Sequence, residues 1–477
     1  MATALFVTML SMTGVEKFNF REHVLKKNPL LKHRALAATV FSIEIIIILS
    51  FGLTGCGSGG ETTGGRTDDE NNGVSSTTQS VNTAKTTVAK SAVTIKSIEE
   101  EVSRMRGLPI RSEIAVSHLS REELRREMKA QIEKEYSPAE VSVEEKVLKG
   151  LGLLEEKDNL TAAIEQMLGE EVAGFYDDET KELKLVSDKL ELNLMNQVTL
   201  AHEVTHALQD QNFSLSEFLP ENSGNDDADL ARLALVEGDA TVSETDYTAA
   251  NFSAMDLVSL LFGSLGATGG LGTNSYLEDS LLFPYTSGMK FVNVMKEKGG
   301  WLAVDSVYGK PPLSTEQVMH PEKYLSGEAP VLVDLSDMGV SIGPGWSLSF
   351  ENNLGEFGLV ELLSVDISSS RARRAAAGWG GDAIEYYEGP EGASLMVVAS
   401  VWDSQQEATE FAKAIGEALE NRYDSKFELA PGTAPVLRSD DGVWLLAHKG
   451  LGVVLVQAPD QALAEKMLGQ SLLAMPA

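Results

Sequence analysis

The sequence predicts an α+β protein in two folded parts: a mainly helical part with a small β-sheet over residues 93–342, and a smaller α+β part over 343–477. Three observations predict it. Capping signals of the form Ser-x-x-Glu open helical apolar patterns in the first part. There, the turn-rich Asp177-Asp178-Glu179-Thr180 between two apolar runs marks a hairpin. After Gly343, strand-length apolar runs separated by Gly and Pro turns alternate with helical patterns.

Composition bounds the function. The chain has 477 residues, a formal net charge of −32 and a single cysteine. So acidic a surface argues against nucleic acid and against an anionic membrane face. One cysteine excludes an internal disulfide framework and any Cys-based zinc site.

The N-terminus reads as a leader. Lys26, Lys27, Lys32 and Arg34 precede an apolar run over 35–53, which ends Leu53-Thr54-Gly55-Cys56. A basic segment, an apolar segment and small residues describe a secretory signal. The ending resembles the bacterial lipobox, and that resemblance implies that Cys56 is lipidated, becomes the mature N-terminus and anchors the chain to the membrane. Residues 1–56 are then a lipoprotein signal peptide. Glu44 interrupts the run, and an uncleaved transmembrane helix is the alternative. Both readings put everything after Cys56 outside the cytoplasm. Residues 57–92 are rich in Gly, Ser, Thr, Asn and Asp and cannot bury enough surface to offset their ordering entropy, so they are expected to form a disordered tether.

Folding signals begin near Val93. Ser120 with Glu123, and Ser137 with Glu140 and Pro138 at the first helical position, predict helices over 121–135 and 138–150, the second stopped by Gly150 and Gly152. A third helix is expected over 160–169. The hairpin pairs 172–176 with 183–186.

The next segment, Leu200-Ala201-His202-Glu203-Val204-Thr205-His206-Ala207-Leu208, carries the chemistry. Residues four apart lie on one helix face, so His202 and His206 can present two imidazole nitrogens to one metal ion. Zn2+ suits such donors, and Glu203 beside them can take a proton from water at the metal. Two histidines and a glutamate also suit a polar helix face, but the rest of this segment is apolar, and unpaired imidazoles are costly to bury there.

A third ligand is needed. Gln209 and Asn212 stand where a metzincin has its Gly and His. Of the seven histidines, His23 and His33 lie in the leader, and His118, His320 and His448 have no local ligand spacing, which points to a carboxylate. Glu237, in a helical pattern over 228–250, follows three apolar residues and is the best candidate. Together the two segments resemble the gluzincin metallopeptidases, whose third ligand is a Glu on a later helix, often followed by Gly-x-Ala as in Glu237-Gly238-Asp239-Ala240. The resemblance covers about 190–250. It implies a zincin-like fold with a sheet edge beside the active helix, zinc held by His202, His206 and Glu237, Glu203 as general base, and a peptide or protein substrate. In thermolysin an Asp four residues after the ligand Glu supports one His. Here Thr241 holds that place, leaving Asp210 and Asp239 as candidates for that support.

Helices are expected over 255–265, before the Gly-rich 266–272, and over 281–296. Ser314 with Gln317 opens a short helix, and Pro321 turns His320 out of it. His320 or Tyr324 is a candidate donor to the oxyanion of the tetrahedral intermediate, as the resemblance implies. In the second part, Arg371, Arg373 and Arg374 form a cationic cluster. Beyond it are expected strands over 384–389, 393–402, 425–430, 434–447 and 451–457 and helices over 405–421 and 460–473. These suggest an antiparallel sheet with helices on one face. The expected function is an extracytoplasmic, membrane-anchored zinc peptidase; the alternative is a zinc-binding envelope scaffold that cleaves nothing.

Overall fold

The fold is a computed structural model that describes residues 93–135, 137–163, 174–186, 192–219, 223–253, 255–256, 275–336, 342–429 and 434–475. The leader, Cys56 and the tether lie outside the described residues, as do 164–169 of the third expected helix and nearly all of 255–272. Among the described residues no helix is long and apolar enough to cross a membrane.

The chain is α+β. Its first part runs α1 (Ile95–Arg106), β1 (Ala115–Leu119), α2 (Arg121–Glu135), α3 (Pro138–Leu151), β2 (Gly174–Asp177), β3 (Glu182–Val186), α4 (Leu194–Phe213), α5 (Leu215–Phe218), α6 (Asp226–Asn251), α7 (Ser275–Gly299), α8 (Trp301–Tyr308), α9 (Thr315–Met319) and α10 (Pro321–Ser326). The capping boxes act as the sequence suggests: Ser137 Oγ accepts from Glu140 N while the Glu140 carboxylate accepts from Ser137 N. The small sheet has the order β1-β3-β2, with β2 antiparallel and β1 parallel to β3. A parallel pair needs a long crossover, which residues 120–181 supply.

The second part runs β4 (Ser347–Asn352), α11 (Gly355–Ser364), α12 (Ser369–Ala376), β5 (Trp379–Glu388), β6 (Ser394–Trp402), α13 (Gln405–Arg422), β7 (Val436–Ser439), β8 (Gly442–Lys449), β9 (Gly452–Ala458) and α14 (Gln461–Ala474). Six antiparallel strands lie in the order β4-β5-β6-β9-β8-β7. Three expectations are corrected: the strand expected over 434–447 is instead the antiparallel pair β7 and β8. Residues 425–430 contribute a single bridge, Glu428 to Val436, rather than a strand. Helices cover both faces of the sheet, not one. In β6, Met396, Val398 and Trp402 pack toward Phe411 and Ile415 of α13, while Leu395, Val397, Ala399 and Val401 pack toward Ala464, Met467 and Leu468 of α14. A strand buried on both faces loses the apolar–polar alternation, which is why β6 reads as one continuous apolar run.

The two parts share a core. Leu233 of α6 and Leu281 of α7 belong to the same hydrophobic cluster as Leu359, Trp379, Phe411 and Trp444. A second cluster joins α1 and the small sheet to α4 through Ile98, Val102, Leu183, Leu200, Val204 and Leu208.

Candidate metal centre

The site is built where α4 crosses α6. Asn193 caps α4 by accepting from Asn196 N, and Ser214 ends it in the left-handed conformation. Every residue of α4 from Val198 to Asp210 is buried, so its polar side chains need partners inside the protein. Three acids, Asp226, Asp227 and Asp229, sit in the first turn of α6, where the helix dipole favours them. Glu237 lies three turns on, inside a continuously buried stretch from Leu233 to Ala240.

The backbones of α6 and α7 touch. A Cβ on Gly238 would lie 2.2 Å from the Gly288 carbonyl carbon, and one on Gly288 would lie 2.0 Å from Ala234 O. Only glycine permits such an approach. The glycine after Glu237 therefore has a packing reason.

His202, His206 and Glu237 converge, each offering an atom within 4.8 Å of the others. Glu237 Oε2 lies 3.4 Å from His202 Nε2 and 3.5 Å from His206 Nε2. The edge of a tetrahedron around an ion with bonds of about 2.0–2.1 Å is about 3.3–3.4 Å. All three residues are no more than 5 % exposed, and Glu203, on the same turn, is 0 % exposed.

The other ring nitrogens decide what the trio can hold. His202 Nδ1 lies 3.0 Å from Glu244 Oε2, and His206 Nδ1 lies 2.7 Å from Gln209 Oε1. Gln209 is oriented in turn by donating from Nε2 to Val236 O at 2.9 Å. Both partners are acceptors, so each Nδ1 carries its proton and donates it. A neutral ring that donates from Nδ1 turns its Nε2 lone pair toward the Glu237 carboxylate. The group of two imidazoles and a carboxylate could hold a metal ion.

Neither acid considered for supporting the histidines does so. Asp210 accepts from Tyr176 Oη at 3.0 Å, pairs with Lys181 Nζ at 2.6 Å and caps Leu215 N at 3.1 Å, pinning the hairpin to α4. Asp239 faces away into a buried pair with Arg106, at 2.6 Å to Nε and 3.0 Å to Nη2, and accepts from Tyr308 Oη at 2.8 Å. Arg106 also reaches Asp305 at 2.8 Å and stacks 4.3 Å from the Trp301 ring centre. Glu244 and Gln209 take the supporting roles. Glu244 follows Glu237 by two helical turns, so it shares its face.

His320 is not brought to the trio. Its Nε2 lies 2.9 Å from Glu356 Oε1, and this hydrogen bond raises its pKa. It stands next to α9, whose Thr315 N donates to Asp227 at 2.9 Å. Asp227 precedes Glu237 by ten residues, about 15 Å of helix rise. Tyr324 donates to Lys310 O at 2.7 Å. The aromatic residue that does meet the site is Tyr285, whose ring centre lies 6.1 Å from that of His202 at 29°. Pro284 lies inside α7 directly before it. An interior proline removes a helical hydrogen bond, and this Pro-Tyr pair is the signal that sequence reasoning passed over.

Among the described residues one other group, Glu316, Glu328 and Asp403, has metal-like spacing. Lys323 Nζ already fills it, at 2.6, 2.7 and 2.6 Å from the three carboxylates.

Comparison with known families matches residues 347–468 to one described as a domain of unknown function, DUF8575. No curated protein and no solved structure matches the chain.

Proposed function

We propose that the chain is an extracytoplasmic zinc-dependent peptidase of the gluzincin type, anchored to the membrane through Cys56, with peptides or proteins as substrates and no nucleic-acid partner. The observation that carries this reading is the buried convergence of His202 Nε2, His206 Nε2 and Glu237 Oε2, with each Nδ1 committed to an acceptor. Two imidazoles and a carboxylate are the protein ligands of catalytic zinc in peptidases of this type, and the first part of the chain is then a zincin-like domain. When bound there, zinc supplies Lewis acidity to water and to a scissile carbonyl.

The residues of the chain divide the remaining work. His202, His206 and Glu237 hold the metal, and Glu244 and Gln209 fix the two rings. Glu203 takes the proton of the attacking water and passes it to the leaving amine. Tyr285 covers His202 from the α7 side. It takes over from His320 the candidacy for donor to the developing oxyanion.

A second reading, a zinc-binding envelope scaffold without hydrolysis, is favoured by one observation. The trio and Glu203 are almost wholly buried, and closed sites are a mark of structural rather than catalytic zinc. A mixed peptide library read by mass spectrometry separates the two. Turnover by the wild type and none by Glu203→Gln, with zinc content unchanged, is the peptidase result. Zinc bound tightly by both proteins with no cleavage by either is the scaffold result.

A further inference from the structure

The N-terminus of α6, the helix that carries Glu237, is finished by residues from the other part of the chain. The first four backbone N–H groups of a helix have no partner within it. Here Asn225 serves the third helical residue, its Oδ1 accepting from Ala228 N at 2.9 Å, and its carbonyl takes the first helical bond, from Asp229 N at 3.1 Å. The first and second are served from 126 residues away. Asp226 N donates to Asn352 Oδ1 at 3.1 Å and Asp227 N to Asn353 Oδ1 at 3.2 Å. Asn353 Nδ2 also donates to Asn225 Oδ1 at 3.0 Å, holding the local cap in place.

The contact continues past the cap. Gly355 has φ +67°, and a Cβ there would lie 1.8 Å from Asp227 Oδ1, so its backbone lies directly on the Asp227 side chain. Asp382 holds the Gly355 turn by accepting from Leu354 N at 2.7 Å and Gly355 N at 2.9 Å. Phe357 N donates to Thr315 Oγ1 at 3.2 Å, and Thr315 in turn donates to Asp227. Phe357 belongs to the same hydrophobic cluster as Ala231, Ala234 and Leu235 of α6, and its ring centre lies 4.6 Å from that of Phe283. Phe283 precedes Pro284 and Tyr285. The second part of the chain thus packs on the N-terminus of α6 and on α7 two residues before Tyr285.

The geometry points to a thermodynamic coupling in which docking of residues 352–357 on α6 and metal binding by His202, His206 and Glu237 each strengthen the other. This gives the DUF8575-matching region a role as a positioning element, with Asn353 and Gly355 as its positioning residues; it rests on the metal reading above. Metal binding needs α6 held at one axial position against α4, and the docked segment fixes one end of that helix and the neighbouring turn of α7. Coupling of this kind is reciprocal.

The test uses the full chain and zinc alone. Zinc affinity is measured against a chromophoric chelator for wild type, Asn353→Ala and Gly355→Val, with His206→Ala as the control for the site. Cobalt absorption bands report ligand geometry, and amide exchange at residues 226–229 and 353–358 is followed with and without zinc. The expected result is a loss of affinity of about tenfold for Gly355→Val and a few-fold for Asn353→Ala. Altered cobalt bands in the folded variants and zinc-dependent slowing of exchange at the docked segment are also expected. Should Gly355→Val not fold, Asn353→Ala and the wild-type exchange decide the matter. Equal affinity and equal bands in folded Asn353→Ala, with exchange indifferent to zinc, overturn the coupling and leave the metal centre standing. Wild-type zinc binding that is absent, or indifferent to His206→Ala, overturns the metal reading and the coupling with it.

Discussion

His202 is held between two glutamates of one helix: Nδ1 lies 3.0 Å from Glu244 Oε2 and Nε2 lies 3.4 Å from Glu237 Oε2. The two carboxylates stand two turns apart on α6 and meet opposite edges of the same ring. Glu237 is placed to share a metal with the imidazole, and Glu244 to fix its tautomer and direction.

Truncating that support weakens the site without emptying it. Glu244→Ala lowers metal affinity about 10–100-fold, as loss of a partner hydrogen-bonded to a ligand does, whereas Glu244→Gln costs less because its amide oxygen still accepts from Nδ1. Gln209→Ala acts in the same way through His206. Chelator competition gives the three affinities, and equal affinity for wild type and Glu244→Ala would contradict this role.

The Gly238–Gly288 crossing predicts a steric result. Gly238→Ala places a methyl group against the Gly288 backbone, where no flexible side chain can yield. The expected loss is about 1–3 kcal/mol, read from denaturant unfolding, together with weaker metal binding as α6 is displaced. An exposed helix position would respond oppositely, since alanine is the better helix former.

The buried pair of Arg106 and Asp239 is entirely shielded from solvent. Arg106→Met leaves the Asp239 carboxylate without its charge partner and is expected to cost about 3–5 kcal/mol. The double change Arg106→Met with Asp239→Leu recovers much of that loss, and urea unfolding of the three proteins checks both statements.

Sequence patterns revealed the His–Glu cluster unevenly, for physical reasons. His202, Glu203 and His206 were legible because helical spacing alone puts them together. Glu237 was legible because an acid in an apolar run must find a partner. Glu244 was not, because it is a partly exposed residue in a Ser-Glu-Thr stretch whose role depends on where another helix crosses. His320 drew attention as a histidine fixed at a helix end, yet its partner is Glu356. In the sheets, the β2–β3 hairpin announced itself through its turn, whereas the parallel partner β1 lies 67 residues before β3 in register and leaves no local signal. The continuous apolar run of β6 did carry the signal of two-faced burial.

Stability depends on pH at the joint between the two parts. Burial pushes the Asp227 carboxyl up to about 7 and that of Asp382 up to about 6, above the ordinary value near 4. The folded chain therefore holds these protons more tightly than the unfolded chain. Their contribution is fully present below about pH 4 and is lost as pH rises through about 6 to 7. Between pH 5 and 8 the unfolding free energy should fall, and Asp227→Asn, which cannot ionise, should flatten the decline. A slope unchanged in that variant would contradict the assignment to Asp227.

The most direct measurement is zinc-edge X-ray absorption on the chain purified without chelator, beside His206→Ala and Glu237→Ala. The account predicts one zinc per chain with two imidazole nitrogens and a carboxylate oxygen at about 2.0–2.2 Å, and an altered or empty shell in each variant. No bound zinc in the wild type, or the same shell in all three proteins, would contradict it.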